Sequence, residues 1–310
     1  MYWILSSSIF RDFIDLTKRG STIQHLYHNV FYRFLYGCPS IPEQKAIADY
    51  LDTKTVQIDH KIDLLTQKAV KYGELKQSLI NETVTCGLNK TVKMKDSGVE
   101  WIGQVPEHWD VNFLVKALSS IVDYRGRTPK KVNVDENGMF LVTARNIKKG
   151  YIDYSLSEEF VDIEDVQSLL NRGKLKIGDV LFTTEAPLGE VANVDREDFA
   201  LAQRIIKFRG KSNTLDNHFM KYWLISSGFQ NSLHRNATGS TALGLKGSKV
   251  RLLIVVLPPL HEQKAIADYL DAKTANIDRI VEIINTQIDK LKELRKTLIN
   301  DVVTGKIKVV

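Results

Sequence analysis

The chain has 310 residues, of which 43% are hydrophobic and 26% are charged, and its formal net charge is +6. This length is enough for about two domains with buried cores, and the composition is that of an ordinary globular protein. The two cysteines, Cys38 and Cys86, lie far apart, and the sequence contains no H-x-x-x-H or C-x-x-C spacing. The sequence therefore predicts a reducing compartment, no disulfide framework, no metal and no cofactor.

The sequence carries no targeting or membrane signal. No apolar run approaches the ~20 residues of a membrane span. The apolar start, MYWILSSSIF, lacks a basic region before it and is followed at once by Arg11, Asp12 and Asp15. It is therefore expected to be part of a domain, not a signal peptide, and the protein is expected to be cytoplasmic with no membrane partner.

The chain repeats part of itself. EQKAIADYLD stands at 43–52 and again at 262–271, and LINETVTCG near residue 87 matches LINDVVTG near residue 305. Upstream, the YW pair at 2–3 matches the YW pair at 222–223. The spacing is much longer than the ~20–50 residues of a solenoid repeat, so this is a duplicated module. Such a module is expected to pair with itself or to serve a symmetric partner.

Both copies carry the pattern of a long helix. Apolar residues recur at alternating spacings of four and three, which is a coiled-coil seam, and Gly87 and Gly305 stand where C-terminal capping glycines belong. The matched copies favour an antiparallel coiled-coil pair over separate helices packed on a globular core. The predicted seam consists of Ile58, Ile62, Leu65, Tyr72 and Leu79 in the first copy and Ile277, Val281, Ile284, Ile288, Leu291 and Leu298 in the second.

The segment between the copies differs in texture, with short apolar runs separated by glycine and proline. Strands are expected within 139–147, 178–184, 190–194, 201–210 and 249–258, and helices within 162–170 and 218–233. The predicted fold class is α+β, with one mixed α/β domain flanked by two long helices. The expected division is a domain remnant at 1–40, a first helical spacer at 41–89, the mixed domain at 90–260 and a second spacer at 261–310.

Basic and amide side chains gather in the loops of this mixed domain. Such residues at loop tips reach phosphates and base edges in a DNA groove, although most lysines and arginines simply form a solvated surface. The predicted DNA-binding residues are Arg125, Arg127, Lys130, Lys131, Arg145, Asn146, Lys148, Gln203, Arg204, Ser240, Thr241, Lys246 and Lys249.

Catalytic motifs are absent from the sequence. Gly239 and Gly244 have the spacing of a phosphate loop, but Leu245 stands where the lysine is required. A dinucleotide-binding glycine motif, a nucleophile elbow and the tetrapeptide of amino-methyltransferases are also missing. We therefore predict a reader or scaffold that is not an enzyme and has no catalytic residues.

Three segments make the sequence similar to a known family. PLHEQKAIADYLDAKTANID, KLKELRKTLINDVVTGKI and MKDSGVEWIGQVPEHWDV resemble the specificity subunits of type I restriction-modification systems, and the likeness covers essentially the whole chain. The resemblance implies target-recognition domains that alternate with two antiparallel helical spacers. It also implies partners: double-stranded DNA, adenine methyltransferase subunits that dock on the spacers, and motor-nuclease subunits of the endonuclease complex.

The sequence departs from the family pattern at its start. Residues 1–40 resemble the end of a first recognition domain whose body is absent, so one complete recognition domain is expected beside two spacers. The leading hypothesis is a DNA-sequence reader and assembly scaffold. The alternative is a scaffold that binds methyltransferase through its helix pair and reads no DNA.

Overall fold

The computed structural model describes residues 1–18, 28–124, 130–133, 138–164, 166, 173–239 and 243–309. Four of the predicted DNA-binding residues lie outside the described residues, namely Arg125, Arg127, Ser240 and Thr241. Most of the helix expected at 162–170 also lies outside them. The chain divides into two compact units. Unit 1 comprises residues 1–74 and 276–310, and unit 2 comprises residues 75–275.

The elements are numbered along the chain. The helices are α1 (Tyr2–Leu5), α2 (Ser8–Thr17), α3 (His28–Phe31), α4 (Ile41–Cys86), α5 (Leu114–Ala117), α6 (Asn217–Ile225), α7 (Ser227–Asn236), α8 (Gly247–Val250) and α9 (Leu260–Val303). The strands are β1 (Met94–Asp96), β2 (Gln104–Pro106), β3 (Asp110–Phe113), β4 (Leu118–Asp123), β5 (Lys131–Val132), β6 (Met139–Val142), β7 (Ile147–Lys148), β8 (Tyr151–Ile152), β9 (Phe160–Val161), β10 (Val180–Thr184), β11 (Leu188–Asn193), β12 (Phe199–Leu201), β13 (Ile205–Gly210) and β14 (Ile254–Leu257). None of the described helices is long and apolar enough to cross a membrane.

Unit 1 is built on an antiparallel pair of long helices. The Arg295 guanidinium of α9 donates to Asp59 of α4, with 2.8 Å between Nε and Oδ1. Further along the pair, Leu51 is fully buried in a small core with Ile299 and Val302. Along the pair, residue numbers decrease in α4 while the numbers of the contacting residues in α9 increase, so the two helices run antiparallel. The predicted fold class, an α+β protein with a mixed domain between two long helices, is confirmed.

The burial of the long helices follows the heptad spacing. On α9, Ile284 is 4% exposed, whereas the adjacent Ile283 is 52% exposed. The structure places every residue of the predicted seam in a buried or half-buried position. Ile277, Ile284 and Ile288 are buried, and Ile58, Ile62, Leu65, Tyr72, Leu79, Val281, Leu291 and Leu298 are half-buried.

Unit 2 contains the sheets. One antiparallel sheet has the strand order β11-β10-β13-β4, and a second has the order β12-β6-β9-β5. The strand β10 is buried along its whole length, including its two threonines, Thr183 and Thr184. The main core contains Trp109, Phe182, Phe208 and Trp223, each with no exposed surface. Phe182 of β10 and Val191 of β11 both pack in this core, and their hairpin positions the candidate site.

One expected helix is divided in two. The pattern at 218–233 predicts a single helix, but α6 ends at Ile225 and α7 begins at Ser227. The side chain of Ser226 between them accepts the amide of Phe229, and its hydroxyl donates to the Trp223 carbonyl at 2.7 Å. Serine caps a new helix in this way because its side chain replaces a missing backbone partner. The strand expected at 249–258 is likewise shorter, and only 254–257 forms β14.

The duplication is visible in the contacts of the two units. In unit 1, Trp3 Nε1 donates to Asp52 Oδ1 at 3.1 Å; in unit 2, the Tyr222 hydroxyl donates to Asp271 Oδ1 at 2.5 Å. The amide of Ser8 donates to Asn300, and the amide of Ser227 donates to Asn81.

These bonds correct one detail of the sequence match. The YW pairs align Trp3 with Trp223, but the hydrogen bonds make Trp3 the counterpart of Tyr222. Trp3 and Tyr222 bond to equivalent aspartates of the two repeats, Asp52 and Asp271. The structural alignment is therefore shifted by one residue from the alignment of the sequences.

Candidate nucleic-acid interface

The candidate interface is organised around the end of the β10–β11 hairpin in unit 2. Thr184, the last residue of β10, accepts the amide of Leu245 at 2.9 Å and donates its own amide to the Arg204 carbonyl at 2.8 Å. Two loops that lie far apart in sequence therefore meet at one residue. The turn at Gln203–Arg204 and the loop that ends at Lys246 both flank the hairpin end.

The loop at 238–246 is held closed at its base. The amides and carbonyls of Thr238 and Gly244 exchange two hydrogen bonds, at 2.9 and 3.0 Å. The side chain of Leu245 is 2% exposed and joins the main core. The base of this loop is thus a rigid platform, and Lys246 next to it is exposed. Gly244 forms a β-bridge with Glu185, and both residues line a cavity of about 440 Å³.

Arg204 has an unusual backbone conformation. Its φ angle is +76°, in the left-handed region that residues with a side chain rarely adopt. Its side chain is 45% exposed, and its guanidinium lies 3.7 Å from the carboxylate of Glu185. Strained residues of this kind cluster at ligand sites, where the surrounding structure offsets their cost. The side chain is therefore held at the hairpin end while most of its donors remain accessible.

A second basic group lies beside β11. The β7–β8 hairpin is joined to β11 by the amide of Gly150, which donates to the Val191 carbonyl at 2.7 Å. The positive charges of Lys148 and Lys149 favour the ionised carboxylate of Glu190. Burial raises the pKa of Glu190, and the two lysine charges offset this only in part. Oε2 of Glu190 is buried and has no hydrogen-bond partner among the described residues.

Asn146 is part of the framework of this second group. Its side chain is fully buried, and its Oδ1 accepts the amide of Thr143 at 2.9 Å. Its Nδ2 donates to the carbonyls of Asp153 and Ser157 at 2.9 and 3.0 Å. The amide group has no capacity left for a base edge, so Asn146 shapes the loop that presents Arg145 and Lys148. This corrects its expected role as a direct contact.

The remaining predicted residues are divided between two places. Lys249 is half-buried in α8, three residues after Lys246. Lys130 and Lys131 lie at or beside β5, the edge strand of the second sheet, where Lys131 forms an ion pair with Glu159 at 2.8 Å. The structure therefore places Arg204, Lys246 and Arg145 in loops and Lys148 at the end of β7, near β10 and β11. It places Lys130 and Lys131 at the edge of the second sheet.

Two residues near the hairpin were missed by sequence reasoning. Glu185 follows a buried strand and contacts Arg204, and the strand–turn–strand pattern around APLG could have pointed to it. Tyr151 pairs with Lys148 across the β7–β8 hairpin and is 59% exposed. Exposed aromatic rings beside basic residues are suited to stacking on bases.

No group of three or more potential metal ligands occurs among the described residues. Along the chain, a β-rich domain with basic residues beside one hairpin lies between two long helices, which is the arrangement expected of a DNA-specificity subunit. The chain belongs to the family described as the type I restriction modification DNA specificity domain, which matches residues 109–293. This family is the DNA-recognition subunit of its system and not the catalytic one.

Relatives with established names agree with this assignment. The chain is 27% identical over 317 residues to the type I restriction enzyme MjaVIII specificity subunit of Methanocaldococcus jannaschii, covering 100% of the chain and 70% of that relative. It is 22% identical over 308 residues to the EcoKI specificity subunit of Escherichia coli K12, covering 97% of the chain and 64% of that relative. The chain thus spans about two thirds of the length of these relatives.

Solved structures share the fold. A chain from a structural study of complex assembly and conformational transition of the type I R-M system superposes with a TM-score of 0.75 at 16% identity, covering 99% of this chain and 71% of that one. The HsdS subunit from Thermoanaerobacter tengcongensis superposes with a TM-score of 0.54 at 17% identity, covering 98% of this chain and 69% of that subunit.

Proposed function

We propose that this chain reads DNA sequence through the loops that flank the β10–β11 hairpin. The observation that carries the proposal is the meeting of Arg204 and the Lys246 loop at Thr184, on a rigid hairpin whose other strand is flanked by Lys148. Arginine and lysine held on such a scaffold contact phosphates and base edges with little loss of side-chain entropy. The alternative, a scaffold that reads no DNA, is not favoured by the match to a DNA specificity domain.

We further propose that the long helices bind adenine methyltransferase subunits, and that the resulting complex recruits motor-nuclease subunits. The support is the family membership together with the exposed faces of α4 and α9, which carry Leu64, Ile283 and Leu294 at about half exposure. Large apolar side chains on the outer face of a helix pair are suited to a protein partner. With one recognition domain in these residues, one chain would specify one continuous segment of the target.

The proposal is tested by the binding of duplex DNA at several salt concentrations. Each phosphate contact releases counterions, so the logarithm of the association constant should fall with the logarithm of salt by roughly 0.9 per contact. A randomised duplex library, selected with the chain and its methyltransferase partner, gives the sequence preference. Binding that does not change with salt, or selection that returns no sequence preference, would refute DNA reading.

A further inference from the structure

A glutamate and an arginine lie together at the end of the β10–β11 hairpin. Nη2 of Arg204 is 3.7 Å from Oε1 of Glu185, and the two side chains are 45% and 41% exposed. An ion pair with this exposure adds little to the free energy of folding, so stability does not explain it. The separation is also too long for a hydrogen bond. The guanidinium donors and the carboxylate lone pairs therefore remain able to bond to a ligand.

The backbone on which both side chains stand is fixed by its neighbours. The Arg204 carbonyl accepts the amide and the hydroxyl of Thr184, at 2.8 and 3.1 Å. Glu185 follows Thr184 directly and forms a β-bridge with Gly244. A Cβ atom built on Gly244 would lie 3.5 Å from Cγ of Glu185, so the loop backbone packs against the stem of this side chain. The two charged groups are thus held in place before a ligand binds, which lowers the entropy lost on binding.

The glutamate is the unexpected member of this pair. Carboxylates are repelled by DNA phosphates, because like charges repel. Glu185 nevertheless lines a cavity of about 440 Å³ together with Lys246, among the basic residues proposed to contact DNA. A carboxylate in such a place has one specific use, since glutamate accepts a hydrogen bond from the N4 amino group of cytosine in the major groove.

The pair matches the edge of one base pair. In a C·G pair, N4 of cytosine lies about 2.9 Å from O6 of guanine, because these atoms form a hydrogen bond with each other. The major groove presents N4 as a donor beside O6 and N7 of guanine, which are acceptors. A carboxylate and a guanidinium whose nearest atoms are 3.7 Å apart fit N4 and O6 of the same base pair.

The other base pairs fit this arrangement less well. A T·A pair in the same orientation would put thymine O4, an acceptor, against the carboxylate and the adenine amino group, a donor, against the guanidinium. A reversed G·C pair would put guanine O6 against the carboxylate. An A·T pair with adenine beneath the carboxylate would place adenine N7 beside it and leave the guanidinium one acceptor, thymine O4, in place of two.

We propose that Glu185 and Arg204 together read one C·G base pair in the major groove. This inference rests on the proposed DNA-reading function and assigns a base pair to one part of that site. Arg204 donates to O6 and N7 of the guanine, and Glu185 accepts the amino group of the cytosine paired with it. The carboxylate fixes the orientation of the pair, because it accepts from cytosine N4 and is repelled by guanine O6.

The first test selects a randomised duplex library with the wild-type, Glu185→Gln and Arg204→Ala chains, each with the methyltransferase partner. The wild type should return one C·G pair whose preference falls in both variants. The amide of glutamine accepts from cytosine N4 or donates to thymine O4, so Glu185→Gln should lose roughly 5-fold or more of the discrimination against T·A. Glu100→Gln, at an exposed glutamate elsewhere in unit 2, is the matched control and should keep the preference.

A base analogue tests the contact with the wild-type protein. 7-Deazaguanine lacks N7 but still pairs with cytosine. In place of the guanine of the selected pair, it should weaken wild-type binding by roughly 5-fold or more, because it removes one of the two acceptors for Arg204. The same replacement should hardly change binding by Arg204→Ala, which has no guanidinium to lose the bond. The analogue at a guanine outside the selected site is the control, and fluorescence anisotropy measures each affinity.

The outcomes separate this inference from DNA reading itself. A sequence preference that Glu185→Gln leaves intact, or variants that relax two different base pairs, would overturn the inference and leave DNA reading in place. An A·T pair at the position that both variants relax would also overturn it, as would equal weakening of the wild type and Arg204→Ala by 7-deazaguanine. Selection that returns no sequence preference would refute DNA reading and this inference together.

Discussion

Arg295 and Asp59 lie 236 positions apart in sequence, yet the guanidinium Nε of Arg295 is 2.8 Å from Oδ1 of Asp59. The two side chains are 33% and 52% exposed, so their ion pair contributes little stability. Its significance is geometric, because it shows the register of α4 against α9 in unit 1. The apolar seam on either side of it provides the stability.

The seam is tested by two adjacent isoleucines. Ile284→Ala should lower the free energy of unfolding by about 2–5 kcal/mol, because it removes buried methylene groups and leaves a cavity. Ile283→Ala is the matched control. Ile283 is 52% exposed, against 4% for Ile284, so its replacement should change stability by less than about 0.5 kcal/mol. Urea denaturation measures both, and equal losses would contradict the seam.

The role of Arg204 is tested by removing its side chain. Arg204→Ala should weaken duplex binding by about 1–3 kcal/mol if the guanidinium contacts a base. Alanine suffers similar strain at a φ of +76°, so the substitution leaves the backbone cost nearly constant. Arg279→Ala is the charge-matched control, since Arg279 is an exposed residue of α9 in unit 1. Fluorescence anisotropy at one fixed salt concentration compares the two, and an equal loss in both would argue for a general charge effect.

Alanine substitutions at Asn146 and Lys148 should distinguish a structural role from a direct contact with DNA. Asn146→Ala leaves the Thr143 amide and two carbonyls without their partner, so it should cost at least about 2 kcal/mol of unfolding free energy. Lys148→Ala should change stability by less than about 0.5 kcal/mol and weaken DNA binding. Thermal denaturation and anisotropy are measured on the same preparations. A stable Asn146→Ala protein with lost sequence preference would restore Asn146 as a direct contact.

The raised pKa of Glu190 should make the stability of the protein depend on pH. Burial raises the pKa of Glu190 above its ordinary value of 4.5, so between these two pKa values the folded state binds more protons than the unfolded state. The contribution of Glu190 to stability is therefore fully present below pH of about 4.5 and is lost as pH rises through its folded pKa. Glu190→Gln should remove this loss and make the protein more stable than the wild type at pH 7. Melting temperatures across pH 4–8 measure the difference, and parallel curves for the two proteins would contradict it.

The two repeated glutamines provide an internal comparison. Gln263→Ala should cost about 2–3 kcal/mol of unfolding free energy, because the half-buried Asp216 amide and the carbonyls of Thr214 and Pro258 lose their partner. Gln44→Ala, at the equivalent but exposed position, should cost much less because water replaces the lost bond to Pro39. Urea denaturation of the two variants measures the difference. Similar costs would mean that the two segments lie in similar environments after all.

Much of the architecture follows from local features of the sequence. The helix periods, the capping glycines Gly87 and Gly305, and the short apolar runs of the strands are readable because they depend on neighbours within a few positions. The family resemblance rests on segments of the same kind. The sequence did not show which basic residues of the candidate interface lie close together, because that depends on contacts between distant segments. Arg204 and Lys246 are brought together by Thr184, which lies far from both in sequence, and nothing in TARNIKKG distinguishes the buried Asn146 from the exposed Arg145.

The repeated decapeptide EQKAIADYLD separates what the sequence determines from what only the tertiary structure decides. The sequence alone determined that both copies are helical and that each begins a long helix, because helix formation and its start signals are encoded locally. Only the tertiary structure decided that Gln263 and Ile266 are buried beneath a recognition domain while Gln44 and Ile47 line an open cavity. The ten residues are identical, so the difference lies in what packs on them from elsewhere in the chain.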